Sequence, residues 1–340
     1  MEIVKFRKIW FSFSGILILI AALSISIFGF RASLDFIGGA KMEIVFLKNN
    51  SENNIKTEEE NISQNPEKNN VSHENETEIS EVNKLNSNEE KENDLKPNLT
   101  PEENLQNLKN IFGDLPVEIS ENSGKILARS PEISVEKKLE LENKINQIGG
   151  SLEKFSIVGP TMGKVFRQRA IWAVVITVFA IIIFVAFAFR KIPKKISPWK
   201  FSFAAILALA HDVFLMIGLF SILGKFFDVE INALFITAVL TVLGFSVNDT
   251  IVVFDRIREN LKKAKQESFT QITEISLRET MRRSINTSIS TLIVLGAMLF
   301  FFRDFPDLFY FVLALSFGIL IGTYSSIFLA APILVCWQKK

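Results

Sequence analysis

The segment Leu240–Asn260, LTVLGFSVNDTIVVFDRIREN, decides how the chain is read. It is apolar and of helix length, carries Asn248 and Asp249 well inside it, and turns into a charged run only at Asp255 and Arg256. An Asp near the centre of a spanning helix costs about 2.5–3.5 kcal/mol on insertion scales, so a carboxylate kept at that depth has a partner or a task. The composition agrees with a lipid setting. Of 340 residues, 48% are hydrophobic and 32 are Phe, far more apolar and aromatic matter than an ordinary water-soluble domain holds. The formal net charge of +1 hides charges that are segregated by region, and a single Cys, Cys336, rules out an intrachain disulfide.

Crossing a bilayer takes about 20 mostly apolar residues. Stretches near Ile9–Phe30, Ala170–Phe189, Phe201–Leu223, Ile231–Phe254, Ser284–Phe302 and Leu308–Trp337 meet that requirement, giving six spans. The first follows Lys5, Arg7 and Lys8; its apolar run is longer than a signal core and no small-residue cleavage site ends it, so it reads as an uncleaved signal anchor. Lys and Arg collect before the first span, in 190–200 (RKIPKKISPWK), in 255–283 and at Lys339–Lys340, whereas Lys225–Glu230 and Arg303–Asp307 are acidic or mixed. Both termini are therefore expected in the cytoplasm. The domains follow: 1–30 as cytoplasmic N-terminus and anchor, 31–169 as an extracytoplasmic domain, and 170–340 as a five-span membrane domain with cytoplasmic loops at 190–200 and 255–283.

Within the outer region, 49–98 is a tract of Asn, Glu, Lys and Ser with hardly an aromatic residue, too polar to offset its ordering entropy and expected to be disordered. Its sequons at Asn61, Asn75 and Asn98 are the chance matches that an Asn-rich tract produces. Around it lies a regular pattern: a strand at Lys41–Lys48, a helix at Thr100–Ile111, strands at Pro116–Glu121 and Gly124–Arg129, an amphipathic helix at Ser134–Ile148 and a last strand at Ser151–Val158. The order βαββαβ predicts one small ferredoxin-like α+β domain between spans one and two. A fold of this kind assigns no chemistry by itself.

Three groups of residues carry candidate chemistry. His211 and Asp212 interrupt the third span near its middle and read either as a packing pair bonded to a neighbouring helix or as members of a proton or ion pathway. The fifth span reaches spanning length only by taking in SINTSIST, which puts Arg283, Asn286, Thr287, Ser290 and Thr291 on one helix face inside the membrane, where polar groups must look at protein or trapped water. In the bland version of that face the hydroxyls merely bond backbone carbonyls and Arg283 snorkels to the headgroups. Asp249 and Arg283 lie toward the same side of the bilayer, so pairing is geometrically open to them. Desolvation favours the neutral acid and a nearby guanidinium favours the carboxylate, so moving the cation switches proton affinity. The charged run 255–279 reads as a solvated face or topology signal. Gly38–Gly39 after Asp35, and Gly159–Pro160 with Gly163, read as tight junctions where the outer domain joins the membrane. No P-loop, zinc pattern or Ser-His-Asp set is present, so no cofactor, metal or enzymatic role is expected.

DFIGG at Asp35–Gly39, VGPTMG at Val158–Gly163, HDV at His211–Val213, GFSVNDTIVVFDRIREN at Gly244–Asn260 and RRSINTS at Arg282–Ser288, together with the anchor, resemble the SecF-type members of the SecD/SecF family of bacterial protein export, in the resistance-nodulation-division superfamily. The resemblance covers every span and both flanks of the outer domain and misses the polar tract. It implies a protein of the bacterial cytoplasmic (inner) membrane that works with SecD and the SecYEG channel, and indirectly with SecA, using the proton gradient to draw unfolded preproteins outward. It further implies Asp249 as the proton-binding carboxylate, Arg283 as its mobile partner and Asp212 as an auxiliary, with His211 and Asn248 beside them. Ile37 and Ala40 stand where the family commonly has Thr and a hydroxyl residue, which bears on the junction and not on the membrane device. Nucleic acid is not an expected partner. The rivals are a small-molecule pump of the same superfamily, an intramembrane aspartyl protease built on Asp212 and Asp249, and a passive scaffold.

Overall fold

The computed structural model describes residues 3–46, 101–113, 117–122, 125–130, 133, 135–190, 197–264 and 266–338. The tract 49–98 with its sequons, most of the basic loop 190–200 and Lys339–Lys340 lie outside the described residues. The chain divides into two compact units, Met1–Gly38 with Val158–Lys340 and, separately, Gly39–Ile157.

The smaller unit is built as the alternation requires. Strand β1 (Gly39–Phe46) pairs antiparallel with β3 (Lys125–Ser130), with Met42 opposite Ala128 and Ile44 opposite Ile126, and β2 (Glu118–Asn122) pairs with the other edge of β3. With β4 (Gly150–Val158) the order is β2-β3-β1-β4, the ferredoxin-like arrangement read from its far edge. Ala40, Met42 and Ile44 alternate onto one face. That face is covered by Leu108 and Phe112 of α3 (Pro101–Phe112) and by Leu141 and Ile145 of α4 (Val135–Gln147). Gly149, at φ 81, ends α4 in the left-handed conformation that glycine tolerates.

The larger unit is helical. Six helical stretches among the described residues are long and apolar enough to cross a membrane: α1 (Arg7–Phe28), α5 (Pro160–Ala188), α6 (Pro198–Phe226), α7 (Ala233–Lys263), α8 (Phe269–Phe301) and the run from Pro306 to Gln338. A four-residue helix, α2 (Leu34–Ile37), follows α1. Three of these helices run further than their apolar cores required: α5 starts at Pro160, α7 continues to Lys263 and α8 begins at Phe269. The last run is not uniform. Helix α9 (Pro306–Ser325) passes through a π-helical turn, Ser326–Ala330, into α10 (Ala331–Gln338). Pro332 lacks an N–H and its ring crowds the carbonyl four residues back, and widening the preceding turn relieves both faults.

Small residues let the central helices approach closely, as lipid-embedded packing favours. A Cβ at Gly218 of α6 would fall 2.4 Å from Ala21 Cβ and 2.7 Å from Ala21 Cα of α1, and one at Gly318 of α9 would fall 2.3 Å from Val242 Cγ2 of α7. Polar clasps accompany the first contact: Ser24 Oγ donates to Gly218 O at 3.1 Å and Ser221 Oγ to Ser24 O at 2.9 Å. Phe189, Phe201 and Phe254 close the bundle toward its charged end, with ring centroids 5.2–6.1 Å apart. Gly218→Ala is expected to force α1 off α6 and to destabilise the bundle by roughly 1–3 kcal/mol. Thermal unfolding in detergent checks this: the midpoint should fall, and an unchanged midpoint would mean the contact is not tight.

Candidate functional site

The buried side of α7 presents Val239, Val242, Ser246, Asp249, Thr250 and Val253 to neighbouring helices, so the two polar turns sit in an otherwise apolar face. Asp249 is 8% exposed. Ser284 of α8, 1% exposed, lies against its carboxylate, and Arg283 acts on it through space. No hydrogen bond of good geometry results: Asp249 Oδ2 and Ser284 Oγ are both buried and unpaired. Nor does a direct salt bridge join Arg283 to Asp249 among the described residues, and Arg283 itself is exposed. A buried carboxylate oxygen that no donor saturates can take up a proton without first breaking a bond.

Asp212 is held in the opposite way. It is 0% exposed; Oδ1 shares a hydrogen bond with His211 Nδ1 at 3.1 Å, and Oδ2 accepts from Ser246 Oγ of α7 at 2.7 Å and from Ser325 Oγ of α9 at 2.8 Å. Thr250 and Ser326 share a further hydroxyl–hydroxyl bond at 2.8 Å at the π-helical turn. Ser246 and Asp249 are three residues apart on α7, about 4.5 Å of rise, so the two acids occupy adjacent layers. Each engages its own set of groups. His211 Nε2 is buried without a partner, and its ring lies 6.3 Å from that of Tyr324. Tyr324 in turn bonds Ser14 at 3.0 Å and Trp10 O at 3.1 Å on α1.

The polar residues of the fifth span divide between two sides of α8. Asn286, Thr287 and Ser290 are exposed with Arg283, and Thr291 is half-buried, while Ser284 and Ser288 turn inward. The hydroxyls are satisfied locally: Thr287 Oγ1 donates to Arg283 O at 2.9 Å and Thr291 Oγ1 to Thr287 O at 3.0 Å. SINTSIST has polar residues on two faces, and periodicity alone does not say which one this chain covers. Asn248 is exposed as well, beside Asp249 on the outer side of α7. At the junction, Gly38 has φ +79 and Gly39 φ 122, Gly159 precedes Pro160 at the head of α5, and a Cβ on Gly163 would fall 2.7 Å from Gly38 N.

The charged run 255–279 is an intramolecular bracket as well as a solvated surface. Glu279 accepts from Arg256 Nε and Asn260 Nδ2, each at 2.7 Å, and Asn260 Nδ2 also reaches Ser276 Oγ at 3.0 Å. Glu274 accepts the backbone N–H groups of Ile3 and Val4 at 2.9 and 2.8 Å, and both of those residues are buried. The base of α8 is thus tied to α7 and to the segment before α1. No pattern in the sequence announces a bond between positions 271 residues apart.

Residues 139–340 match the family model described as protein export membrane protein SecD/SecF, C-terminal. The chain is similar to the protein translocase subunit SecF of Thermobaculum terrenum, 48% identical over 216 residues that make up 62% of this chain and 67% of that one. Its match with the SecF of Anaerolinea thermophila, at 42% identity, takes in 59% of that protein. With the SecF of Rickettsia prowazekii it is 31% identical over 340 residues, covering 100% of this chain and 91% of the other. The crystal structure of SecDF from Thermus thermophilus, a translocon-associated membrane protein, superimposes on 100% of this chain and 39% of its own, with a TM-score of 0.74 and 27% identity.

The contrast between the two acids has a measurable consequence. Asp212→Ala strands the buried hydroxyl of Ser246 and the ring of His211, leaves Ser325 only its bond to Gly322 O, and should lower stability by about 2 kcal/mol or more. Asp249→Asn breaks no hydrogen bond and should stay within about 1 kcal/mol of the parent. Unfolding midpoints of the two variants in the same detergent decide it; equal losses would mean that Asp249 is held as tightly as Asp212.

Proposed function

The chain belongs to the SecD/SecF family of protein export membrane proteins, and from that membership we propose that it works with SecD as an accessory subunit of the Sec protein translocase, drawing on the proton motive force to assist late preprotein translocation. The observation that carries the reading is the unpaired Oδ2 of Asp249 at lipid depth, with Ser284 against it and Arg283 within electrostatic reach. Asp249 is the proton-binding group. While it is charged it attracts Arg283 and with it the upper part of α8; once protonated it releases them. Asp212, held with His211 by donors from α7 and α9, is the auxiliary acid that keeps the neighbouring layer polar and fixed.

Partner and topology follow from surface chemistry. Thr237, Thr241, Gly244 and Asn248 descend the exposed side of α7, and Arg283, Asn286, Thr287 and Ser290 the exposed side of α8. Small and polar groups of this kind at bilayer depth suit a second helical protein better than acyl chains. SecD is that protein: the similar Thermus thermophilus chain is a SecDF, and the match takes in only 28% of it. The SecYEG channel, SecA acting indirectly and an unfolded preprotein complete the assembly in the inner membrane. Both termini lie in the cytoplasm and residues 31–169 outside, a placement that the distribution of Lys and Arg supports. The aspartyl-protease rival is disfavoured, because Asp212 and Asp249 engage separate groups where a protease dyad would share one proton.

Asp249→Asn is expected to reduce proton-driven export to the level of membranes lacking the chain while its membrane abundance stays normal. Translocation of a preprotein into inverted vesicles, with and without an uncoupler, measures this. Export that remains uncoupler-sensitive and of parental rate in the variant would reject the role given to Asp249.

A further inference from the structure

The stretch Asp35–Gly39 is not among the groups around Asp249 or Asp212, yet one of its side chains reaches the helix that carries Asp249. Asp35 Oδ2 accepts the backbone N–H of Ala233, the first residue of α7, at 3.1 Å. Asn232 caps the same helix through Phe235 N at 3.0 Å, so two side chains share the donors that a helix start leaves free. A carboxylate there also meets the positive end of the helix dipole. The contact is not isolated. Ser33 N donates to Ile231 O at 2.9 Å and Ile231 N to Arg31 O at 2.7 Å, and Arg31 forms a salt bridge with Asp228, so the segment after α1 runs as a short parallel ribbon along the turn that precedes α7. On its other side this segment is pressed against the head of α5. A Cβ on Gly38 would fall 2.8 Å from Pro160 Cα, closer than real side chains come. Gly38 leads directly into β1 and Val158 ends β4 immediately before Gly159 and α5. The two tethers of the β1–β4 domain and the start of the Asp249 helix therefore meet in one packed block.

We propose that Asp35 is the positioning residue that fastens α7 to these two tethers, so that a change at Asp249 is transmitted along α7 to Gly38 and Pro160. This rests on the proton-driven reading above and names the route by which that event leaves the membrane helices. Hydrogen exchange of the full chain, reconstituted in lipid with SecD and compared at two pH values, tests it. In the parent protein, peptides covering 283–290 and those covering the tethers, 36–42 and 156–162, should each change exchange with pH by about threefold or more. Asp249→Asn should abolish both responses. Asp35→Ala should keep the response at 283–290 and lose it at the tethers, while Asp35→Asn, whose amide oxygen still accepts from Ala233, should restore the tether response. Ala233→Pro supplies an independent check: it removes the donor at a helix position where proline is tolerated, and should reproduce the Asp35→Ala result. A tether response that survives in Asp35→Ala or Ala233→Pro overturns the proposal. If 283–290 also stops responding in those two variants, Asp35 is structural and the coupling role falls. A parent protein with no pH response at 283–290 would instead reject the proton-driven reading itself.

Discussion

A carboxylate oxygen at bilayer depth without a hydrogen bond is expensive to keep, and the chain answers that difficulty differently at two adjacent layers. Asp212 is surrounded by donors from its own helix, from α7 and from α9, so it is fixed and its oxygens are occupied. Asp249, one layer away, is left with an open oxygen and with a cation on a helix that is not bonded to it. Because the first acid is satisfied, the second can be left unsatisfied without the bundle losing its packing.

The packing around them differs from helix to helix. Helices α6, α7 and α9 meet through glycines and small residues at distances that leave no slack, with Gly318 against Val242 and Gly322 against Ser246. Helix α8 is different. Its base is bracketed by Glu274 and Glu279, and its upper half joins α9 in a hydrophobic cluster of Leu295, Val312 and Ile319, with Ser288 bonded to Thr323, while Arg283 stays on the exposed side. Arg283 is thus left on the uncovered side of a helix that is anchored at its base and along α9.

Much of this was legible from residue order. Apolar runs of spanning length marked the six membrane helices, and the alternation of Met42 and Ile44 with turn residues marked the ferredoxin-like unit, because both depend on local periodicity. The interior carboxylates stood out because lipid makes them costly. What periodicity does not carry is which of two polar faces a helix turns inward, so Ser284 and Ser288 were hidden behind Asn286, Thr287 and Ser290. Ser325 and Ser326 looked like ordinary small residues near a proline until the π-helical turn aimed them at Asp212 and Thr250. The bonds from Glu274 to Ile3 and from Asp35 to Ala233 join positions with no local relation, and only the folded chain brings them together.

Infrared difference spectroscopy of the lipid-reconstituted chain across a pH step observes the protonation of a buried acid itself. A protonated-carboxyl C=O band should grow as pH falls, vanish in Asp249→Asn, persist in Asp212→Asn and shift when Arg283 is replaced by Gln. A band that is untouched by Asp249→Asn would mean that the proton goes elsewhere and that the open oxygen on α7 has no part in the cycle.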